Sequence, residues 1–172
     1  MRLTKPKFWK TKNFLSFILY PLSLITYLIN FLKEFSIKKK FKIKTICIGN
    51  IFVGGTGKTS LAIEINELLR KKFKTVFIKK NYENQLDEIK LLNNEGKIIS
   101  SNSRENALLT AINKKYQLAI LDDGLQQKNI NYDLKIACFN SEYGIGNEYM
   151  IPAGPLRENL NEVKNYDLIF LN

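Results

Sequence analysis

Apolar and polar positions along this chain follow two patterns. The first is one unbroken stretch, residues 14–32, which carries no charge and has lysines on both sides. The second, from residue 43 onward, is an alternation. Short apolar runs at 43–48, 74–79, 97–100, 117–121, 134–139 and 167–171 have the length and composition of strands. Between them, 60–70 and 104–114 carry helical spacing, and a short helix is expected around 86–92 in the otherwise polar 81–94. Strands alternating with helices predict an α/β domain with a parallel sheet and helices on its faces. The run at 117–121 is apolar nearly throughout, as befits a central strand buried on both sides.

As a helix, residues 14–32 would be about 28 Å long, near the hydrocarbon thickness of a bilayer. Pro21 would kink it, and Ser16, Ser23, Thr26 and Asn30 dilute its hydrophobicity. Phe8, Trp9, Tyr20 and Tyr27 are residues that favour membrane interfaces. The favoured reading is a membrane-associated helix. The alternatives are a buried helix of a soluble core and a cleaved signal peptide, which lacks a small-residue cleavage site here.

Charge supports the division. Residues 1–44 hold eleven of the 27 basic side chains and only Glu34 of the 16 acids, whereas residues 45–172 are nearly neutral. The chain therefore reads as a basic, apolar segment over 1–44, suited to anionic lipid head groups, followed by a domain over 45–172. A nucleic-acid partner is not expected, because such proteins spread basic residues along a groove of the folded domain. With no histidine and two cysteines, Cys47 and Cys138, a zinc site is not expected and buried reduced thiols are.

The densest chemistry is Gly49-Asn50-Ile51-Phe52-Val53-Gly54-Gly55-Thr56-Gly57-Lys58-Thr59, between the first strand and the first helix of the domain. Strand, glycine-rich turn, Gly-Lys-Thr and helix describe a phosphate-binding loop. Backbone N–H groups of Phe52, Val53, Gly54, Gly55, Thr56, Gly57, Lys58 and Thr59 would close around phosphate oxygens. Lys58 would neutralise charge, and the Thr59 hydroxyl could ligate Mg²⁺. The strict pattern wants glycine where Phe52 stands, so this is a variant loop; a turn that binds nothing is the plain alternative. Downstream, Asp122 and Asp123 end the apolar run 117–121, where an acid can hold Mg²⁺ or its water beside a γ-phosphate. Asp-Gly is also turn chemistry, and which aspartate would ligate stays open. Asn113-Lys114-Lys115-Tyr116 lacks the acid of a guanine-reading motif, so ATP is the expected nucleotide.

Three segments together resemble the tetraacyldisaccharide 4'-kinases: the loop above, Leu121-Asp122-Asp123-Gly124-Leu125-Gln126, and Gly144-Ile145-Gly146-Asn147 leading to Ile151-Pro152-Ala153-Gly154-Pro155-Leu156-Arg157-Glu158. The resemblance implies a P-loop-type fold behind a membrane-associated helix, at the cytoplasmic face of a bacterial inner membrane. It implies ATP- and Mg²⁺-dependent phosphoryl transfer to the 4'-hydroxyl of a lipid-linked glucosamine disaccharide, by a monomer. The family's Asp-Glu pair, whose Asp assists deprotonation of the sugar hydroxyl, matches Asp87-Glu88, making Asp87 the implied base. The chain departs from the family in several places. The Gly and Pro that flank that pair are missing, the Ser-Arg-Gly-Tyr stretch reads Lys79-Lys80-Asn81-Tyr82, and a usual His is Gln127. Family members are also longer, with a further C-terminal portion. The alternative function is therefore a nucleotide-binding remnant of that family, inactive or weakly active, at the membrane.

Overall fold

The computed structural model describes residues 6–81, 86–142 and 144–172. Its centre is one sheet of six strands: β1 (Lys44–Gly49), β2 (Thr75–Lys80), β3 (Ile98–Ser101), β4 (Leu118–Asp122), β5 (Leu134–Phe139) and β6 (Leu168–Leu171). Their order is β3-β2-β4-β1-β5-β6, and every pairing is parallel. Among the described residues four α-helices accompany them: α1 (Phe14–Glu34), α2 (Lys58–Leu69), α3 (Leu86–Glu95) and α4 (Arg104–Asn113). Each expected strand and helix is present within a few residues of its expected ends.

The twofold alternation of the strands decides what each face buries. Cys47, Val76, Ile78, Ala119, Leu121 and Ala137 pack with Ala107, Leu108 and Ala111 of α4. Ile46, Ile48, Phe77, Leu118, Ile120, Ile136 and Cys138 pack with Ala62 of α2 and Leu92 of α3. β1 and β4 thus have both faces covered, which explains their continuous apolar runs. Cys47 and Cys138 are fully buried free thiols. Burial pushes Cys47 up to about 12 and Cys138 to about 11.

β1 lies beside β4 with Ile48 opposite Asp122. This register brings the turns after β1 and β4 out side by side at the carboxyl edge of the sheet, where ligands of such sheets bind.

α1 is built the other way round from a core helix. Asn13 caps it, in a box with Ser16, and the helix continues unbroken through Pro21. Ser16 and Ser23 are its buried residues. Ser23 Oγ donates to Met150 O (2.7 Å) and accepts from the Ala153 N–H (3.2 Å). Thr26 donates to Ile151 O at 2.7 Å, and the Asn30 amide to Arg157 O at 2.7 Å. Ahead of the helix, Trp9 Nε1 donates to Pro152 O at 3.0 Å. Of the residues that seemed to dilute the helix, Ser16 serves its cap, and Ser23, Thr26 and Asn30 form one face and fasten it to the segment 150–157.

The other face of α1 is apolar and uncovered: Phe17, Leu24, Ile25, Leu28 and Leu32 are each more than half exposed. By length and composition α1 could cross a membrane, and only 11% of its most apolar window is buried. The alternative of a buried core helix is therefore corrected: α1 presents its polar residues, not its apolar ones, to the domain. At its far end Glu34 meets Lys128 (3.1 Å), which also pairs with Glu158 (3.4 Å) and Glu162 (2.8 Å).

Candidate active site

The loop after β1 turns into α2 at Gly57, whose φ of 73° lies in the left-handed region. Glycine is needed there because side chains disfavour that backbone conformation. α2 starts at Lys58, two residues ahead of expectation, so its first N–H groups and positive end point into the loop. An opening of about 300 Å³ runs along Gly54 to Ser60 and is completed by Glu88, Asp123 and Arg157.

Of the expected phosphate cradle, Gly54, Gly55, Thr56, Gly57, Lys58 and Thr59 line this opening, whereas Phe52 and Val53 lie behind it. Phe52 is 2% exposed, clusters with Ile51, Met150 and Leu156, and meets the Phe139 ring at 5.7 Å. The Val53 N–H donates to Pro155 O at 2.9 Å. Phe52 pairs with Leu156, and the Arg157 N–H donates to Ile51 O at 2.7 Å. The stretch Pro152 to Glu158 is thus the backing of the loop, sandwiched between it and α1. Gly154 fits there because a Cβ would sit 2.1 Å from Asn147 Oδ1 and 2.3 Å from Tyr149 O.

The two aspartates after β4 separate. Asp122, 1% exposed, accepts from the Thr59 hydroxyl at 3.3 Å on Oδ2. Asp123 is the turn residue, at φ 59°, with its N–H on Ile48 O at 2.8 Å. Its carboxylate faces Lys58 at 3.7 Å and Arg157 at 3.2 Å. Burial disfavours its charge, but Lys58, Arg157 and Arg104 outweigh burial and hold Asp123 below the usual carboxylate range. Turn chemistry and site chemistry therefore coincide in one residue.

Lys79 was visible in the sequence only as a departure from the resemblance. The end of β2 buries its side chain to 1% exposure, with Nζ 2.6 Å from Asp122 Oδ2 and in a short ion pair with Glu88. Burial works against the ammonium, but Asp122 and Glu88 prevail and raise its pKa. A lysine continuing the apolar run Val76-Phe77-Ile78 was the available signal, since such a residue must find a buried anion.

Asn50 Oδ1, Thr56 Oγ1 and Asp122 Oδ1 are buried without a hydrogen-bond partner. Of these, the Thr56 hydroxyl could donate to a phosphate oxygen and Asp122 Oδ1 could accept a metal ion. Thr59 and Asp122 offer the hard oxygen ligands that Mg²⁺ takes, so the residues fit that ion.

Asp87 lies in the first turn of α3, exposed, and is not among the residues lining the opening; its neighbour Glu88 is. Tyr82 lies outside the described residues. Gln127 accepts from Arg104 Nη1 at 3.1 Å. Both line a second, larger cleft of about 670 Å³. This cleft reaches from Lys33 and Ser36, at the end of α1, to Asp123 and Arg157, which it shares with the phosphate opening. Lys33, Lys80, Arg104, Lys128 and Arg157 face it against only Glu105 and Asp123. Arg157 was quoted in the sequence motif without a role; the structure makes it the joint between the two openings.

A parallel sheet with a phosphate loop after β1 and a carboxylate after β4 defines a nucleotide-binding protein of the P-loop kinase fold. The family model for tetraacyldisaccharide-1-P 4'-kinase matches residues 15–172, and the chain belongs to that family. The tetraacyldisaccharide 4'-kinase of Pelagibacter ubique (strain HTCC1062) is 52% identical, over 100% of this chain and 56% of its own length. That of Rickettsia canadensis (strain McKiel) is 32% identical, over 99% of this chain and 58% of its own. Among solved structures, LpxK from Aquifex aeolicus in complex with ATP superposes with a TM-score of 0.78 at 26% identity, covering 92% of this chain and 59% of that one. The chain thus spans between half and two thirds of the length of these relatives.

Proposed function

We propose that this chain binds Mg²⁺–ATP at the loop Gly54–Thr59 and transfers the γ-phosphoryl group to the 4'-hydroxyl of a tetraacyldisaccharide 1-phosphate at a membrane surface. The observation that carries this reading is the pair of openings joined at Asp123 and Arg157. One is lined by a phosphate loop; the other is a cationic cleft whose mouth lies at the end of α1. A nucleotide in the first and an anionic sugar in the second would meet at the joint.

Lys58 carries the charge that must leave Asp123 and engage the phosphates, and Arg157 can follow the transferring group. Mg²⁺, held by Thr59 and Asp122, would supply charge neutralisation between the phosphates; Asp123, committed to Lys58 and Arg157, is the poorer ligand. In the transfer, the acceptor oxygen forms a bond to γ-phosphorus as the bond to the β,γ-bridging oxygen breaks. The hydroxyl proton needs a carboxylate. Asp87 is the base implied by the family resemblance, and Glu88 is the carboxylate of that turn already facing the opening. The cations of the larger cleft, apart from Lys128, which is held by Glu34, Glu158 and Glu162, suit the 1-phosphate of the acceptor.

α1 places this chemistry at the bilayer. Its exposed apolar face would lie in the acyl region of the cytoplasmic leaflet, with the flanking lysines at anionic head groups. The acceptor's acyl chains confine it to the same surface.

The test is phosphate transfer from labelled ATP to tetraacyldisaccharide 1-phosphate in mixed micelles with Mg²⁺. Lipid-dependent product is expected. ATP binding without product would reverse the reading in favour of the nucleotide-binding remnant. In the same assay, loss of turnover in Asp87→Ala with Glu88→Ala active assigns the base to Asp87; the opposite pattern assigns it to Glu88.

A further inference from the structure

We infer that Lys79 is an internal counter-cation that closes Asp122 to free divalent metal, so that Mg²⁺ enters the site only together with nucleotide. The inference rests on the reading above, in which Thr59 and Asp122 receive the metal. Its grounds are the placement of one ammonium and the charge balance around it.

Lys79 Nζ lies 2.6 Å from Asp122 Oδ2, and both side chains are 1% exposed. Water cannot screen such a contact as it does at the surface. Glu88 holds the same ammonium from the solvent side, its own side chain half exposed. The ammonium therefore has two anchors and a stem fixed by a central strand. It has no need to leave when the site is filled, because Asp122 Oδ1 is buried and unpartnered.

The wider site is balanced. Asp122, Asp123 and Glu88 face Lys79, Lys58 and Arg157, with Arg104 donating to Asp123 O at 2.5 Å from behind. A free divalent cation approaching Thr59 and Asp122 meets as much positive as negative charge, and its nearest charged neighbour besides Asp122 is an ammonium. A nucleotide polyphosphate reverses that sign. It draws Lys58 and brings several negative charges into the opening, and the metal gains its attraction from the phosphates rather than from the protein. An Asp122 without Lys79 would be a buried carboxylate beside a threonine hydroxyl, an arrangement that draws a hard cation by itself.

The experiment measures Mn²⁺ binding in the absence of nucleotide, from the loss of the free-ion paramagnetic resonance signal. Lys79→Gln keeps a hydrogen-bond donor for Asp122 and removes the charge. It should bind Mn²⁺ at least about tenfold more tightly than the unchanged protein. The gain should vanish in Lys79→Gln/Asp122→Asn and be absent in Lys79→Arg. Unchanged Mn²⁺ affinity in folded Lys79→Gln overturns the inference. Should Lys79→Gln be unfolded alone, recovery of its far-UV circular dichroism with millimolar Mn²⁺ supports it, and no recovery overturns it. Asp122→Asn in the otherwise unchanged protein separates the two readings. If it weakens Mn²⁺ retention with ATP present while Lys79→Gln gains nothing, only the inference fails. If it does not weaken retention, the metal site itself is misassigned and both fail.

Discussion

α1 and α4 are helices of one chain with opposite insides. α4 turns Ala107, Leu108 and Ala111 to the sheet. α1 buries Ser16 and Ser23, and uses Ser23, Thr26 and Asn30 to reach backbone carbonyls at Met150, Ile151 and Arg157. A helix buries whichever face is less at home in its surroundings. For α4 the surroundings are water. For α1, Leu24, Ile25 and Leu28 are left uncovered, the arrangement that the proposed bilayer surface would complete. The lesson concerns which face is turned inward: the same chain buries an apolar helix face at α4 and a polar one at α1.

The largest expected effect cuts the two regions apart. Lys58→Ala removes the phosphate-loop ammonium and should lower phosphoryl transfer by about 10³-fold or more, as loss of a charge aimed at the transition state does. Binding to anionic vesicles, proposed above for α1, should stay unchanged in a flotation assay. A loss of both would mean that α1 and the site act as one unit.

Leu24→Glu/Ile25→Glu is the reverse cut. Each large apolar side chain moved from water to an apolar phase contributes roughly 1.5–3 kcal/mol, so with two replaced vesicle binding should fall about a hundredfold or more. Both side chains are more than half exposed, so ATP affinity should hold, and stability in detergent-free buffer should change by no more than about 0.5 kcal/mol. Marked destabilisation in buffer would show that this face is covered by protein and not by lipid.

Ser23→Ala sharpens the contrast from the buried side. It strands the Ala153 N–H, whereas the Met150 carbonyl keeps the Gly154 N–H at 3.0 Å. Leaving buried groups unpaired costs about 1–3 kcal/mol. Thermal unfolding should reveal it as a loss of about 2–4 °C per kcal/mol in a chain of this size. A substitution normally counted as favourable to helices thus weakens this one.

The strands were legible because burial on both faces writes itself as apolar runs, clearest at β4. The loop was legible because Gly-Lys-Thr has few uses between a strand and a helix. What could not be read lies in pairings across long stretches of chain. Ser23, Thr26 and Asn30 looked like blemishes in an apolar helix because their acceptors lie more than 120 residues away. Asp122 and Asp123 were equivalent in sequence. Only the register of β4 against β1 sends one toward Thr59 and the other into the turn beside Lys58 and Arg157. Lys79 and Glu88 meet because β2 and the first turn of α3 converge, which no spacing rule encodes.

The smallest expected effect is a change of shape and not of height. Asp123 is held below the ordinary carboxylate range in the folded chain, whereas unfolded it titrates at about 3.9. Its contribution to stability is therefore complete above that unfolded value and is lost as pH falls through the lowered native one. Asp123→Asn should flatten the acid limb of the stability curve in that window, as followed by urea unfolding at a series of pH values. Ser23→Ala removes hydrogen bonds between groups that do not titrate, so its curve should run parallel to that of the unchanged protein through the same window. If Ser23→Ala also flattened the limb, the fastening of α1 would be coupled to the charges of the site. If neither variant changed the shape, Lys58 and Arg157 would not be what keeps Asp123 ionised.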